Sequence, residues 1–440
     1  MSQKHAIIKG TFILTITGFA TRFMGFFYRI FLSHTFGEEG VGLYQLIFPI
    51  YALCFSLTSA GMEIALSRCV ARCVTKGKHR EARELLCASL VLTFFSSCIV
   101  MLLIQRNAAW ISDYFLHDTR CTQLLILLSY AFPFASVHSC ICGFYFGLKQ
   151  TKIPAVSQLI EQTARILSVY FLYLYGRKYG IPFGISIAVT GLIIGEVLSA
   201  SFCLRAVTGK RKEPIKLRSP ITACIKQARQ LITLSLPLTA SRMMLNILQS
   251  IEAISIPLRL QIYGMSVKDS LSTYGVLTGM ALPCILFPSA ITNSISTMLL
   301  PAVAEVQAMD NKKQLSTLIK KVSCSCILLG SVCCAALLCL GDWIGRFLFH
   351  SPMAGDYIVT LSWMCPFLYT NNTLISITNG IGKTNLSFLI NMVSLGIRIA
   401  GVIFFIPLLG IQGYLYGLLA SQLCIFFFCL CYLKWYLHKY

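Results

Sequence analysis

The sequence predicts an all-α, polytopic membrane protein: about twelve transmembrane helices in two six-helix lobes around a central cavity. Three observations carry this expectation. Of 440 residues, 56% are hydrophobic and 12% charged, about half the charged share of a soluble domain. Apolar runs long enough to cross a bilayer, roughly 20 residues each, recur from one end to the other. The chain also repeats itself at a fixed offset. The alternating ten-residue pattern of a transmembrane β-barrel does not occur in the sequence.

The spans read as 7–34, 41–67, 84–105, 121–148, 154–175, 182–205, 231–258, 273–303, 319–341, 356–381, 385–407 and 411–433. With the N-terminus inside, the inner segments hold 25 of the 37 Lys and Arg residues and the outer segments seven. That bias places both termini in the cytoplasm. The net charge of +21 is then loop charge, and nucleic acid is not expected as a partner. The apolar run after "MSQKHAIIKG" contains arginine and is longer than a signal-peptide core, so no cleaved leader is expected.

Twenty cysteines lie almost wholly inside apolar runs. None shows zinc-ligand spacing, so they read as small hydrophobes in helix packing. Neither a disulfide framework nor a metal site is expected.

The internal repeat is explicit. "LSYAFPF" (128–134) parallels "LSWMCPF" (361–367), and Gly147, Thr151, Gln158 and Arg165 each find a counterpart 233 residues later in Gly380, Thr384, Asn391 and Arg398. Earlier, "FATRFM" (19–24) parallels "TASRMM" (239–244), which matches Arg22 with Arg242. Six-helix halves share one orientation, so the repeat axis lies along the membrane normal with a midplane site between halves. The expected domains are an N-terminal lobe (1–206), a basic cytoplasmic linker (207–230) and a C-terminal lobe (231–440).

Charge inside the spans points to function. An intramembrane arginine costs about 2.5–3.5 kcal/mol by the lowest scale, yet Arg22, Arg29, Arg165, Arg242 and Arg398 all fall within spans. In the first helix Thr11, Thr15, Gly18, Arg22, Gly25, Arg29 and Ser33 follow steps of four and three, forming one polar face. The seventh carries a similar stripe: Ser235, Thr239, Arg242, Asn246 and Gln249, with Glu252 near its edge. Five arginines exceed the four intramembrane glutamates Glu63, Glu161, Glu196 and Glu252. A positive cavity suits an anionic solute, and guanidinium suits phosphate bidentately. The substrate-binding candidates are therefore Arg22, Arg29, Arg242, Arg165, Arg398, Asn246 and Gln249. The four glutamates are ion-coupling candidates for Na+ or H+, or else neutralise the arginines, as Glu161 does for Arg165 at i,i+4 spacing. Gly18, Gly25, Pro49, Pro283 and Pro288 are candidate hinges, with packing kinks the other reading of the prolines.

Enzyme chemistry is not expected. "GIGKT" (380–384) lacks the earlier glycine of a phosphate-binding loop, because that place is Ile377. The seven histidines do not assemble into a hydrolase set with serine and aspartate.

The stretches "FGEEGVGLYQLIFPIY" (36–51), "ISIPLRLQIYGMS" (254–266) and "STYGVLTGMALPCILFPSAITNSISTMLLPAVAE" (272–305) resemble the stage V sporulation protein B group of the multidrug/oligosaccharidyl-lipid/polysaccharide exporter superfamily. The resemblance implies two six-helix lobes, alternating access, and an undecaprenyl-diphosphate-linked oligosaccharide or peptidoglycan precursor moved outward across the bacterial cytoplasmic membrane. The related lipid II flippases carry an Arg-x-x-Gly-Phe motif in the first helix, matched here by Arg22, Gly25 and Phe26. Diphosphate binding carries over to Arg22; the second arginine of that motif falls one residue late, at Arg29. Many relatives have two further helices that hold the lipid tail, which twelve spans do not supply. The expected partners are the lipid-linked diphosphate sugar, the bilayer and cell-wall synthesis enzymes, with no cofactor beyond a coupling Na+ or H+. Two other functions stay open: a multidrug/cation antiporter of the same superfamily, and a non-transporting scaffold for cell-wall or spore-envelope assembly.

Overall fold

The computed structural model describes residues 3–181, 184–209, 221–308 and 312–439. Residues 210–220, the middle of the expected basic linker, lie outside that set. The protein is all-α, and no strand occurs among the described residues. Bridging breaks of a few residues, the helices of the described residues group into twelve: α1 (3–36), α2 (38–75), α3 (79–116), α4 (121–147), α5 (152–179), α6 (186–209), α7 (221–262), α8 (267–308), α9 (312–348), α10 (352–380), α11 (384–409) and α12 (411–439). Seven helical runs are long and apolar enough to cross a membrane on their own, and two bent pairs bring the number to nine. The first of these runs, Phe12–Thr75, joins most of α1 to α2. α5 falls short because it carries Glu161, Arg165 and three further charges in "KIPAVSQLIEQTARILSVYFLYLYGRKY". α10 is interrupted at Trp363–Met364.

The breaks have local causes. α1 turns into α2 at Gly37, whose φ of 68° and ψ of −179° suit only glycine. α8 bends by 59° where Phe287 and Pro288 separate its halves, since proline cannot donate to the preceding turn. Among the described residues five π-helical turns each insert one residue into a helix: Ser56–Ala60, Ile111–Leu116, Val276–Ala281, Ile344–Leu348 and Gly401–Phe405. Four of the five pair off. The turns of α3 and α9 begin 233 residues apart, and those of α2 and α8 begin 220 apart, the offset of Arg22 and Arg242. The bend of α4 at Tyr130 (42°) likewise corresponds to the interruption of α10 at Trp363. The repeat in sequence is thus also a repeat in backbone irregularities.

Two compact units result. Unit 1 comprises residues 1–25 and 46–250, and unit 2 comprises 26–45 and 251–440. The core of unit 1 gathers Leu66, Val70, Leu85, Cys140, Ile141, Cys203 and Leu231. That of unit 2 gathers Val303, Leu315, Leu374, Ile377 and Cys429. Close packing, not water exclusion, holds helices together in lipid. In unit 2 this is visible where α2 meets α8: a Cβ on Gly42 would collide with the Leu271 carbonyl oxygen, and one on Gly275 with that of Glu38. The described cysteines are free thiols, and Cys140, Cys203 and Cys429 are fully buried packing residues.

Candidate ion-coupling and substrate-binding sites

Unit 1 encloses a polar cluster. α5 supplies Glu161 and, one turn on, Arg165, whose guanidinium donates to Glu161 Oε1 at 2.5 Å. α6 supplies Glu196, buried with 6% of its surface exposed. α2 supplies Tyr51, whose hydroxyl donates to Glu196 Oε1 at 3.2 Å, its ring stacked on Phe132. α4 supplies His138, with Nδ1 3.4 Å from Glu196 Oε2 and 4.0 Å from Glu161 Oε2. The ring's other nitrogen, Nε2, lies 3.0 Å from Ser157 Oγ. Unpaired burial of any of these charges would be costly in lipid, so the cluster is assembled from mutually compensating groups. Close by, Glu63 accepts a hydrogen bond from Ser139 at 2.9 Å and lies within the electrostatic reach of Arg242 and His138.

Arg22 and Arg242 both belong to unit 1 and are both exposed. Among the described residues Arg242 forms no ion pair. Asn246 and Ser250, on the polar stripe of α7, turn to the backbone of α2. Asn246 Nδ2 donates to the Ala52 carbonyl (3.3 Å) and Ser250 Oγ to that of Pro49 (3.3 Å). These carbonyls lie just before the π-helical turn at Ser56–Ala60, where the regular ladder is broken. Ser56 and Thr58 bond the carbonyls of Leu53 and Cys54 in the same stretch. Gln249, on the same helix, is exposed.

In unit 2, Arg29 donates to the carbonyl of Thr278 at 3.0 Å, inside the π-helical turn of α8. Arg398 donates through Nε to Glu252 Oε1 at 2.7 Å, and Tyr414 donates to the same oxygen at 2.7 Å. Glu252 is buried, 3% exposed. Arg165 and Arg398, equivalent in the repeat, therefore each meet a carboxylate, Arg165 on its own helix and Arg398 on α7. Four of the five candidate hinges lie beside a unit boundary or a bend. The chain leaves unit 1 directly after Gly25, and Pro49 follows its return at Leu46. Pro288 marks the bend of α8, with Pro283 one turn before it. Gly18 has open space about its α-carbon.

Sequence reasoning missed His138, Tyr51 and Tyr414. The signal for His138 was available: a histidine in the apolar run "AFPFASVHSCICGFYFG" is as much out of place as an intramembrane arginine. Nothing local marks the two tyrosines, whose partners are 145 and 162 residues away.

A family model described as polysaccharide biosynthesis protein matches residues 7–307. The chain belongs to the polysaccharide biosynthesis protein family. Among curated relatives of this family member, stage V sporulation protein B of Bacillus subtilis (strain 168) is 29% identical over 417 residues, 93% of this chain and 80% of that one. Lipid II flippase MurJ of the same organism is 27% identical over 206 residues, 44% of this chain and 38% of that one. Two solved structures share the fold. One is the inward closed conformation of lipid II flippase MurJ (TM-score 0.75, 16% identity, covering 96% of this chain and 87% of that one). The other is an inward-facing multidrug resistance MATE family transporter of the MOP superfamily (TM-score 0.72, 15% identity, covering 97% and 98%). Both establish the fold of the polysaccharide biosynthesis family member; the choice of cargo rests on its side chains.

Proposed function

We propose that this protein is a flippase that moves a lipid-linked diphosphate sugar, of the undecaprenyl-diphosphate oligosaccharide or peptidoglycan-precursor class, outward across the bacterial cytoplasmic membrane. One observation carries the reading: two exposed guanidinium groups, Arg22 and Arg242, in the middle of membrane-crossing helices of one unit. A cation exposed at that depth is stable against water or an anion, not against acyl chains. Its planar fork matches a diphosphate. A cationic drug would be repelled by the same two groups, so the antiporter alternative finds less support. The kinship with stage V sporulation protein B and with a lipid II flippase agrees with an anionic lipid cargo.

In this reading the diphosphate exchanges its hydration shell for fixed guanidinium donors while the polyprenyl tail stays in the bilayer. The loaded site opens to the cytoplasm and then to the outside, with both termini cytoplasmic, and no phosphate bond is broken. Arg165 and Arg398 act at one remove, since their charges are already engaged by Glu161 and Glu252.

The test is transport in proteoliposomes of a fluorescent undecaprenyl-diphosphate sugar, with a cationic dye as competitor cargo. Charge-assisted hydrogen bonds are worth about 1.5–3 kcal/mol each. Arg22→Ala and Arg242→Ala should therefore each cut lipid transport by about tenfold to a hundredfold. Full activity in both variants, or transport of the dye alone, overturns the reading.

A further inference from the structure

The hydrogen bonds around His138 can be followed proton by proton. A neutral imidazole has one donor nitrogen and one acceptor nitrogen, whereas an imidazolium has two donors. On the Nε2 side stands Ser157 Oγ at 3.0 Å. The proton of that hydroxyl is committed to the Pro154 carbonyl at 2.8 Å, so Ser157 can only accept from the ring. On the Nδ1 side stand Glu196 Oε2 at 3.4 Å and Ser199 Oγ at 3.3 Å, with Glu161 Oε2 at 4.0 Å. Carboxylates accept, and the Ser199 proton is committed to the Glu196 carbonyl at 3.0 Å. The oxygens that face each nitrogen of the ring are therefore acceptors, with the weakly polar Cys142 thiol beside Ser157.

Charge leads to the same answer. Among the described residues the charged and titratable groups around the ring are Tyr51 and Glu63 on α2, Cys142 on its own helix α4, Glu161 and Arg165 on α5, and Glu196 and Cys203 on α6. Arg242 on α7 acts on Glu63. Of these, Glu161 and Glu196 face the ring and Arg165 pairs with Glu161, so two carboxylates against one buried guanidinium group leave one negative charge over. A proton on His138 cancels it inside a low-dielectric interior, where an uncompensated charge is heavily penalised.

We infer that His138 is the seat of the coupling proton: a doubly protonated imidazolium held between Glu161 and Glu196, which gives up and regains its Nδ1 proton once per transport cycle. The cycle rests on the flippase reading; the protonation does not. When the Nδ1 proton leaves to water, the ring stays neutral with its Nε2–H on Ser157, and a bare lone pair then confronts Glu196. α4 is thereby pushed from α6, which is how one proton alters the packing of unit 1. Sodium is a poorer occupant, because a hard cation seeks an all-oxygen shell and here a ring nitrogen stands between the two carboxylates.

The test begins without cargo. Protein labelled with 15N-histidine is placed in lipid nanodiscs, and its ring nitrogens are followed by NMR against pH, with His138→Gln to assign the signal. At pH 7 both His138 nitrogens should carry the shift of an imidazolium, and one proton should leave at higher pH on a curve that is the same in sodium and potassium chloride. A neutral-ring signature at pH 7, or a curve displaced by sodium, overturns the inference. In proteoliposomes, His138→Gln should lose at least tenfold of pH-gradient-driven transport of the undecaprenyl-diphosphate sugar while still binding it. Gradient-driven transport at the wild-type rate in that variant also overturns the inference. If the wild-type protein moves no lipid diphosphate at all, the flippase reading fails and the NMR result stands by itself.

Discussion

His117 and His350 lie 233 residues apart and share a left-handed backbone, with φ of 53° and 54°. Each follows a π-helical turn that ends a pass, Ile111–Leu116 and Ile344–Leu348. Side chains other than glycine and asparagine rarely adopt this conformation, so finding it twice at the repeat offset marks a corner built the same way in both halves. The surroundings differ. His117 forms no side-chain hydrogen bond among the described residues and is exposed, whereas His350 Nδ1 lies 2.8 Å from His34 Nε2, which itself contacts the Leu348 carbonyl at 2.6 Å.

That contrast sets a first prediction. His117→Gly relieves left-handed strain and should leave thermal stability unchanged or raise it by up to about 1 kcal/mol. His350→Gly relieves the same strain but removes the clasp on His34, so its melting temperature should fall below that of His117→Gly. Thermal unfolding in detergent compares the two; equal shifts would show that the clasp contributes nothing.

The Arg398–Glu252 pair gives a second. Removing one member of a buried pair costs roughly 3–5 kcal/mol. Arg398 keeps 27% of its side chain accessible, which points to the lower end for Glu252→Gln. The double replacement Glu252→Gln with Arg398→Met should recover most of the loss, because no charge is then stranded. Chemical or thermal melts of the three variants check this, and a double variant less stable than either single one would contradict it.

A third concerns Asn246. Its amide satisfies the Ala52 carbonyl at a break in α2, and leaving a buried acceptor unsatisfied costs about 1–3 kcal/mol. Asn246→Ala should lower stability by that order. Ser250→Ala should do the same at Pro49. Hydrogen exchange should rise locally over residues 52–60 in the Asn246 variant, and unchanged exchange there would remove the assignment.

A fourth tests the backbone contact of α2 with α8. Gly275→Ala places a methyl group against the Glu38 carbonyl and the backbone of Gly42, with no flexible side chain to yield. Monodisperse protein recovered after solubilisation should fall severalfold, while Gly18→Ala, with open space about it, should be neutral. Equal yields would show that the two helices separate without cost.

Much of the fold was legible because its signals are local or repeated. Apolar length gives most of the helices, and the matched words "LSYAFPF" and "LSWMCPF" give the relation between halves, down to the bend at Tyr130 and the break at Trp363. The Glu161–Arg165 pair was readable for the same reason: four residues on one helix must be neighbours. The partner of Arg398 was not, because Glu252 is 146 residues distant and helix periodicity says nothing about which faces meet. Asn246 and Arg29 read as ligands for cargo from the polar stripes of their helices. The structure gives both a backbone carbonyl beside or within a π-helical turn, and no sequence rule announces where such a turn will leave a carbonyl unsatisfied. His138 carries no local sign of its partners, because Ser157, Glu161 and Glu196 all lie on other helices.

The way the chain passes between the units has a consequence for biosynthesis. Residues 26–45 pack with a unit whose remaining residues begin at 251. The corner at Gly37 must therefore wait in the nascent chain until the ribosome has threaded six later helices into the bilayer. Until α8 emerges, the glycine face at Gly42 has only lipid or the insertion machinery against it. Synthesis arrested before residue 275 should leave a protease-sensitive stretch at the tip of the first hairpin, which the finished protein protects.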